Sequence, residues 1–311
     1  MNTKTQELTY GAMIVAIFGV MLLINRQTGG FFSGILMFVY PIPMVAFAAR
    51  YGLKDSVAVF VCTVLIAFLF GTFTAVFYAI SGSFIGMVYG SCIFAKRDMN
   101  RTLILIMVLS AAAELIATVA LATLSGIDIN TDIMAMQESM NAMFAQAGLD
   151  TASGILSFDY LRRMYIISTG FLGAMEGLVV YYLSLLILRK LRYPIQKPMP
   201  LTQYYPSKIS GFIAFALTFV YSYTIAKPFT NETAQNILQS AGICGVIYLI
   251  FFGYIALLMF FRVYVRLPKA LGMLLTIFLC LAISYVPILM GFAYISAGFH
   301  EALDARISGR R

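Results

Sequence analysis

The sequence predicts an all-α fold: a polytopic transmembrane helical bundle of eight or nine spans, in a single integral membrane domain over residues 1–311. Three observations carry that expectation. Hydrophobic residues make up 61% of the chain and charged residues only 11%, with a mean hydropathy of +0.90, whereas soluble domains carry about 25% charged residues. Apolar runs recur near 8–24, 31–49, 56–71, 73–95, 102–124, 164–188, 209–226, 239–261 and 270–298. Each is long enough to cross about 30 Å of hydrocarbon. The basic residues concentrate in the short connections on alternate sides, which is how positive-inside sorting distributes them.

Lys4 precedes the first run and no small-x-small cleavage site follows it, so the run reads as a first span rather than a removed signal peptide. If the runs alternate, Lys4 shares one side with Arg50, Lys54, Lys96, Arg97, Arg101, Arg189, Lys190, Lys208 and Lys269. That side, with the N-terminus, is expected to be cytoplasmic. The net charge of +8 is then a signal of orientation rather than of nucleic-acid binding. The last run leaves two options open. One pass would put Arg306, Arg310 and Arg311 outside, whereas a re-entrant hairpin broken near Pro287 and Gly291 would return them to the cytoplasm.

Between the runs, four features stand out. "YPIP", from Tyr40 to Pro43, interrupts the second run, because each proline removes a backbone donor and frees a carbonyl one turn earlier. It marks either a simple kink or a broken helix that can coordinate a solute. Gly82, Gly86 and Gly90 form a zipper on which a neighbouring helix can approach closely. The loop at about 125–160 carries Ile133, Met136, Met140, Met143, Phe144 and Ala147 at helical spacing, behind Asn130, Thr131 and Asp132 as N-cap candidates. It is expected to form an external amphipathic helix, lying on the bilayer or acting as a lid. The loop at about 191–208 holds Pro194, Pro198, Pro200 and Pro206 and reads as a stiff cytoplasmic connector or docking strip.

The chemistry-bearing candidates are few. Glu114 sits in "AAAELIATVA", and a carboxylate placed in hydrocarbon is costly unless it serves or is satisfied. Glu176, in the next run, is its counterpart. Counting from Arg101 and from Arg189, each lies 13 positions in, about 20 Å at helical rise. Two carboxylates at one depth can share a proton or bind a cation or a cationic solute group. The alternative is that each hydrogen-bonds separately to a hydroxyl or a backbone carbonyl. Tyr40 is the further polar candidate within the bundle, and Arg26, a rare cation on the outer side, is either an entrance contact for an anionic group or the partner of an external acid.

No phosphate loop, H-E-x-x-H motif or nucleophile elbow is present. Cys62, Cys92, Cys244 and Cys280 lie in apolar segments without C-x-x-C spacing, and His300 is the single histidine. No enzyme activity, catalytic residue, cofactor, metal or disulfide is therefore expected. ATP-driven work would need another subunit.

Three stretches carry a resemblance. "LTYGAMIVAI", with Ala12 and Ala16, is similar to the first helix of the S components of energy-coupling-factor transporters. "YPIPMVAFAARYGLKDSVAV", with Pro41, Pro43, Arg50 and Gly52, resembles the signature of the YybS-like family of bacterial membrane proteins. The tail "GFHEALDARISGRR", with Asp304 and Arg306, is similar to the ending of that family. The resemblance implies a bacterial plasma-membrane protein with an S-component-like helical fold that captures a small solute from outside. It also implies that Ala12 and Ala16 contact an energising transmembrane subunit with its ATPases. The chain departs from the S-component pattern in having more than six spans and a long external loop. Expected partners are thus membrane lipid, a small-molecule solute and that subunit, with no nucleic acid. Two other readings stay open: a proton- or cation-coupled secondary transporter acting alone, and a membrane scaffold or regulator in which the glutamates are structural.

Overall fold

A computed structural model describes residues 3–126, 128–146, 157–193, 195, 206–227, 229, 231–283 and 285–308. Ala147, Arg310 and Arg311, and most of the proline-rich loop with Pro194, Pro198 and Pro200, lie outside the described residues, as does the side chain of Asp304. Every regular element among the described residues is a helix. Seven stretches are long and apolar enough to cross a membrane, or eight when Ala270–Cys280 and Tyr285–Ile295 are taken together as one bent span. The protein is therefore an all-α polytopic membrane protein with about seven to eight apolar spans. It forms two compact units, Met1–Asp132 with Ser168–Pro198, and Ile133–Ile167 with Met199–Arg311.

The first unit contains α1 (Thr3–Gln27), α2 (Ser33–Val39), α3 (Pro41–Phe70), α4 (Phe73–Phe94), α5 (Met99–Ser125) and most of α7 (Phe158–Lys190). The α1–α2 connection is pinned where Asn25, fully buried, exchanges hydrogen bonds with Ser33. "YPIP" does interrupt the helix: α2 ends at Val39, α3 starts on Pro41, and Tyr40 between them keeps helical dihedrals. Prolines are tolerated there because the first helical turn has no donors to lose.

α3 is not one rod. Gly82 lies against Tyr40 and Pro41, Gly86 against Pro41 and Met44, and Gly90 against Val45, Ala48 and Ala49. Residues 41–51 thus run alongside α4 in the same direction. Beyond Gly52, Phe60 meets Phe84 with ring centroids 6.1 Å apart, and Gly71 meets Val76, so the second leg runs the opposite way along the same helix. The chain reverses at Gly52, whose φ of 83° and ψ of −175° suit only a residue without a β-carbon. The two runs read from the sequence at 31–49 and 56–71 are the legs of this hairpin, which the seven-to-eight count treats as one stretch. Gly11 of α1 touches both legs, through Phe47 and Val59. Arg50 stacks its guanidinium over Tyr10, 4.9 Å from the ring centre, and over Tyr51, 5.5 Å away. That sandwich can hold its charge at the reversal without a carboxylate.

The second unit contains most of α6 (Ile129–Gln146), the first turns of α7, α8 (Lys208–Ala226), α9 (Glu232–Phe260) with a π turn at Phe261–Val265, α10 (Lys269–Ala282), α11 (Tyr285–Ile295) and α12 (Phe299–Ser308). The expected amphipathic helix forms as α6. Its first free N–H groups are met differently from the expectation, because Asp128 Oδ1 accepts from the Asn130 N–H at 2.9 Å. Of the apolar face read in the sequence, Ile133 is buried, Met140 and Phe144 are partly covered, and Met136 and Met143 are exposed. α8 and α9 close on Gly242, which meets Tyr221, and Gly245, which meets Ala214 and Leu217. α9 and α11 cross on Gly253 against Pro287 and Gly291 against Leu249.

The expected break near Pro287 and Gly291 falls earlier. α10 ends at Ala282, and the two helices meet at 113°. Pro287 lies in the first turn of α11, where it costs no intrahelical bond, and Gly291 serves the crossing with α9.

Two substitutions test this packing. Gly52→Ala forces a β-carbon into a left-handed φ and to 3.1 Å from the Phe94 ring, and should cost about 1–3 kcal/mol. A Gly86 β-carbon would sit 2.3 Å from the Pro41 carbonyl oxygen, whereas one at Gly34 meets nothing within 4 Å. Thermal unfolding in detergent should therefore show Gly86→Ala strongly destabilised and Gly34→Ala near wild type.

Candidate functional site

The helix pair that positions Glu114 and Glu176 is built on small residues. α5 and α7 run antiparallel in the first unit: Gly173 lies against Ser110, Ala111 and Glu114, and Gly177 against Ile106, Met107 and Ser110. A β-carbon at Gly173 would be 2.7 Å from that of Glu114, so the two backbones are as close as side chains allow. Glycine on α7 therefore leaves the room that the β-carbon of Glu114 occupies. The antiparallel register sets Glu176 nearer the level of Ser110 than of Glu114, because Gly173 faces Ala111 and Glu114 while Gly177 faces Met107 and Ser110, so the two glutamates are offset along the pair by more than the residue count implied.

Glu114 and Glu176 are both partly buried and lie within electrostatic reach of one another. Tyr78 of α4 donates to Glu114 Oε1 at 3.5 Å, and it is also within reach of Glu176. Ser110, one turn before Glu114, is 2% exposed and its hydroxyl has no hydrogen-bond partner. Among the described residues no cation forms an ion pair with either glutamate. The arrangement is thus two carboxylates, one phenol and one unspent hydroxyl on three helices.

Above this group, α4 and α7 are tied together independently. Tyr89 stacks on Tyr181 with centroids 5.3 Å apart and donates to the Tyr181 carbonyl, while the Tyr181 hydroxyl donates to the Met99 carbonyl at 3.1 Å. These aromatic contacts hold the three helices in register without drawing on the glutamates.

The other sequence candidates lie apart from these contacts. Tyr40 is 1% exposed and stacks on Phe18 at 6.1 Å with its hydroxyl unpartnered, between α1 and the glycines of α4. Arg26 is exposed in the last turn of α1 and forms no ion pair among the described residues. Ala12 and Ala16 are exposed and line a groove of about 810 Å³ between α1 and the second leg of α3, with Gly19, Ala58 and Cys62. Lys4, Glu7 and Asp55 also line it.

Tyr78 and the free hydroxyl of Ser110 were not singled out as polar groups of the site by sequence reasoning. The chain has 19 tyrosines, so a tyrosine in an apolar run carries no signal by itself. Pairing residues across the short 95–98 connection, once Glu114 is suspected, would have pointed to α4.

Gly173→Val is expected to force α5 and α7 apart and to lower stability by about 1–3 kcal/mol or more. Tyr78→Phe, which removes one oxygen from a partly buried site, should change the melting temperature in detergent by far less than Gly173→Val does.

No curated protein and no solved structure matches the chain. A family model described as predicted membrane protein, DUF2232, matches residues 12–295. That match takes in the hairpin at Gly52, the glycine zipper and both glutamates, and the chain belongs to the DUF2232 family of predicted membrane proteins, the YybS-like family.

Proposed function

We propose that this protein is a membrane transport protein of the bacterial plasma membrane, the solute-binding subunit of an importer, taking a small solute with a cationic group at Glu114 and Glu176. The observation that supports this reading is that Glu114 and Glu176 lie within electrostatic reach of one another and of Tyr78, with the unpartnered Ser110 hydroxyl one turn from Glu114 on α5. Two like charges brought together inside a bundle are costly unless a proton or a cation sits between them. A solute ammonium or guanidinium group would relieve that cost and give Ser110 a partner.

The groove lined by Ala12 and Ala16 supports a partner on the face of α1. Small residues let another helix approach closely, and the resemblance to S components suggests an energising transmembrane subunit with ATPases as that partner. The N-terminus is cytoplasmic in this reading, following the basic connections. A second reading, a proton- or cation-coupled transporter working alone, is favoured by the same carboxylate pair.

Affinity purification from the native host in mild detergent separates the two. Recovery of a membrane subunit with ATPases, lost when Ala12 and Ala16 are replaced by leucine, is the expected result. Proton flux by the purified chain alone, in vesicles with an imposed pH gradient and an internal pH dye, would instead favour the second reading. In either case Glu114→Gln with Glu176→Gln should weaken the transport response at least about tenfold, the scale of one lost charge-assisted contact. Unchanged transport and solute binding in the double variant would sink both.

A further inference from the structure

The second unit holds an arginine whose direct contacts are neutral amides rather than a carboxylate. Arg163 of α7 donates from Nη1 to Asn236 Oδ1 and from Nη2 to Gln239 Oε1 at 2.6 Å, both on α9. Gln239 is only 5% exposed. The guanidinium Nε–H is buried and has no partner. Among the described residues no carboxylate lies within ion-pair distance of Arg163. Asp159, one turn earlier on α7, feels its charge but is itself exposed and farther away.

Hydrogen-bond direction then determines what the cluster offers. A guanidinium has donors and no acceptor, so Asn236 and Gln239 must turn their oxygens to it and leave their NH₂ groups facing elsewhere. Neither amide nitrogen has a partner among the described residues. Beside them Tyr160, three residues before Arg163, and Tyr221 of α8 share a hydrogen bond between their hydroxyls. Two hydroxyls hold two protons and that bond uses one, so the pair has a further O–H to donate. The local sum is a cation with an unspent Nε–H, two amide NH₂ groups and a spare phenolic proton, all donors.

The cluster lies one to two turns from the ends of its helices, since α7 begins at Phe158, α9 at Glu232, and α8 ends at Ala226. An anion can reach that depth without crossing the apolar centre of a bilayer.

We propose that Arg163, Asn236 and Gln239, with the Tyr160 and Tyr221 hydroxyls, form a binding site for a phosphate-type oxyanion. The planar guanidinium fork matches such a group in geometry and charge. The phosphate is either that of an anionic lipid headgroup or that of a water-soluble solute, and the site is independent of the glutamate pair.

The test uses the purified full-length protein in non-ionic detergent with two probes. Native mass spectrometry compares retention of phosphatidylglycerol with that of phosphatidylcholine, and thermal unfolding compares inorganic phosphate with chloride at equal ionic strength. The informative variant is Gln239→Glu, which places a carboxylate against Arg163 and fills the site from within while keeping the fold's charges paired. Arg163→Lys keeps the charge but loses the fork. Wild-type protein should prefer phosphatidylglycerol or be stabilised by phosphate, with binding at least about tenfold weaker in both variants. Loss confined to the lipid response identifies a headgroup, and loss confined to phosphate identifies a soluble anion. No preference in the wild type, or equal anion responses in wild type and a folded Gln239→Glu protein, would overturn the proposal.

Discussion

Backbone-to-backbone contact at glycine is the constraint on which the rest of this molecule depends. In lipid, helices gain little by hiding apolar side chains from one another, so association rests on close dispersion contact and on the few polar groups available. Gly82, Gly86 and Gly90 let the first leg of α3 lie directly on α4, Gly173 and Gly177 let α7 lie on α5, and Gly253 and Gly291 let α9 cross α11. In each case the neighbour includes a backbone carbonyl or a β-carbon at a distance no larger residue permits. Gly52 adds the one backbone conformation that turns α3 back on itself.

The polar chemistry follows from that packing. Glu114 occupies space that Gly173 leaves empty, and Tyr78 reaches it because α4 is packed against α5. The tyrosine contacts among α4, α5 and α7 hold the helices without using the glutamates. In the second unit the logic runs the other way. Arg163 is held by neutral amides rather than by an acid, so its positive charge is positioned without being cancelled. The two glutamates and Arg163 are thus all held without an ion pair among the described residues, and α7 supplies one residue to each group.

Much of this was legible in the amino-acid sequence. The all-α membrane class follows from hydropathy and run length alone, because the bilayer requires every backbone polar group to be satisfied within the helix. Counting residues to the basic anchors gave Glu114 and Glu176 one depth, but the count assumes that the two anchors are level, and the register set by Gly173 and Gly177 offsets the two glutamates. The zipper on α4 and the arginine-glycine pair at Arg50 and Gly52 were visible as motifs. Their use was not: only the contacts on both faces of α4 show that Gly52 is a reversal within one helical stretch.

What the sequence determined by itself was the local and periodic part: helix against strand, apolar run against polar connection, and the positions where glycine and proline alter the backbone. Tertiary structure alone decided the partners. Tyr78 beside Glu114, Asn236 and Gln239 around Arg163, Asp128 as the cap of α6, and the 113° bend ahead of Pro287 all depend on which helices are neighbours and how they are rotated. Apolar helices have no hydrophobic face that fixes rotation in lipid. Rotation is set by the fit of small residues against particular neighbours, and that fit is a property of the pair rather than of either segment.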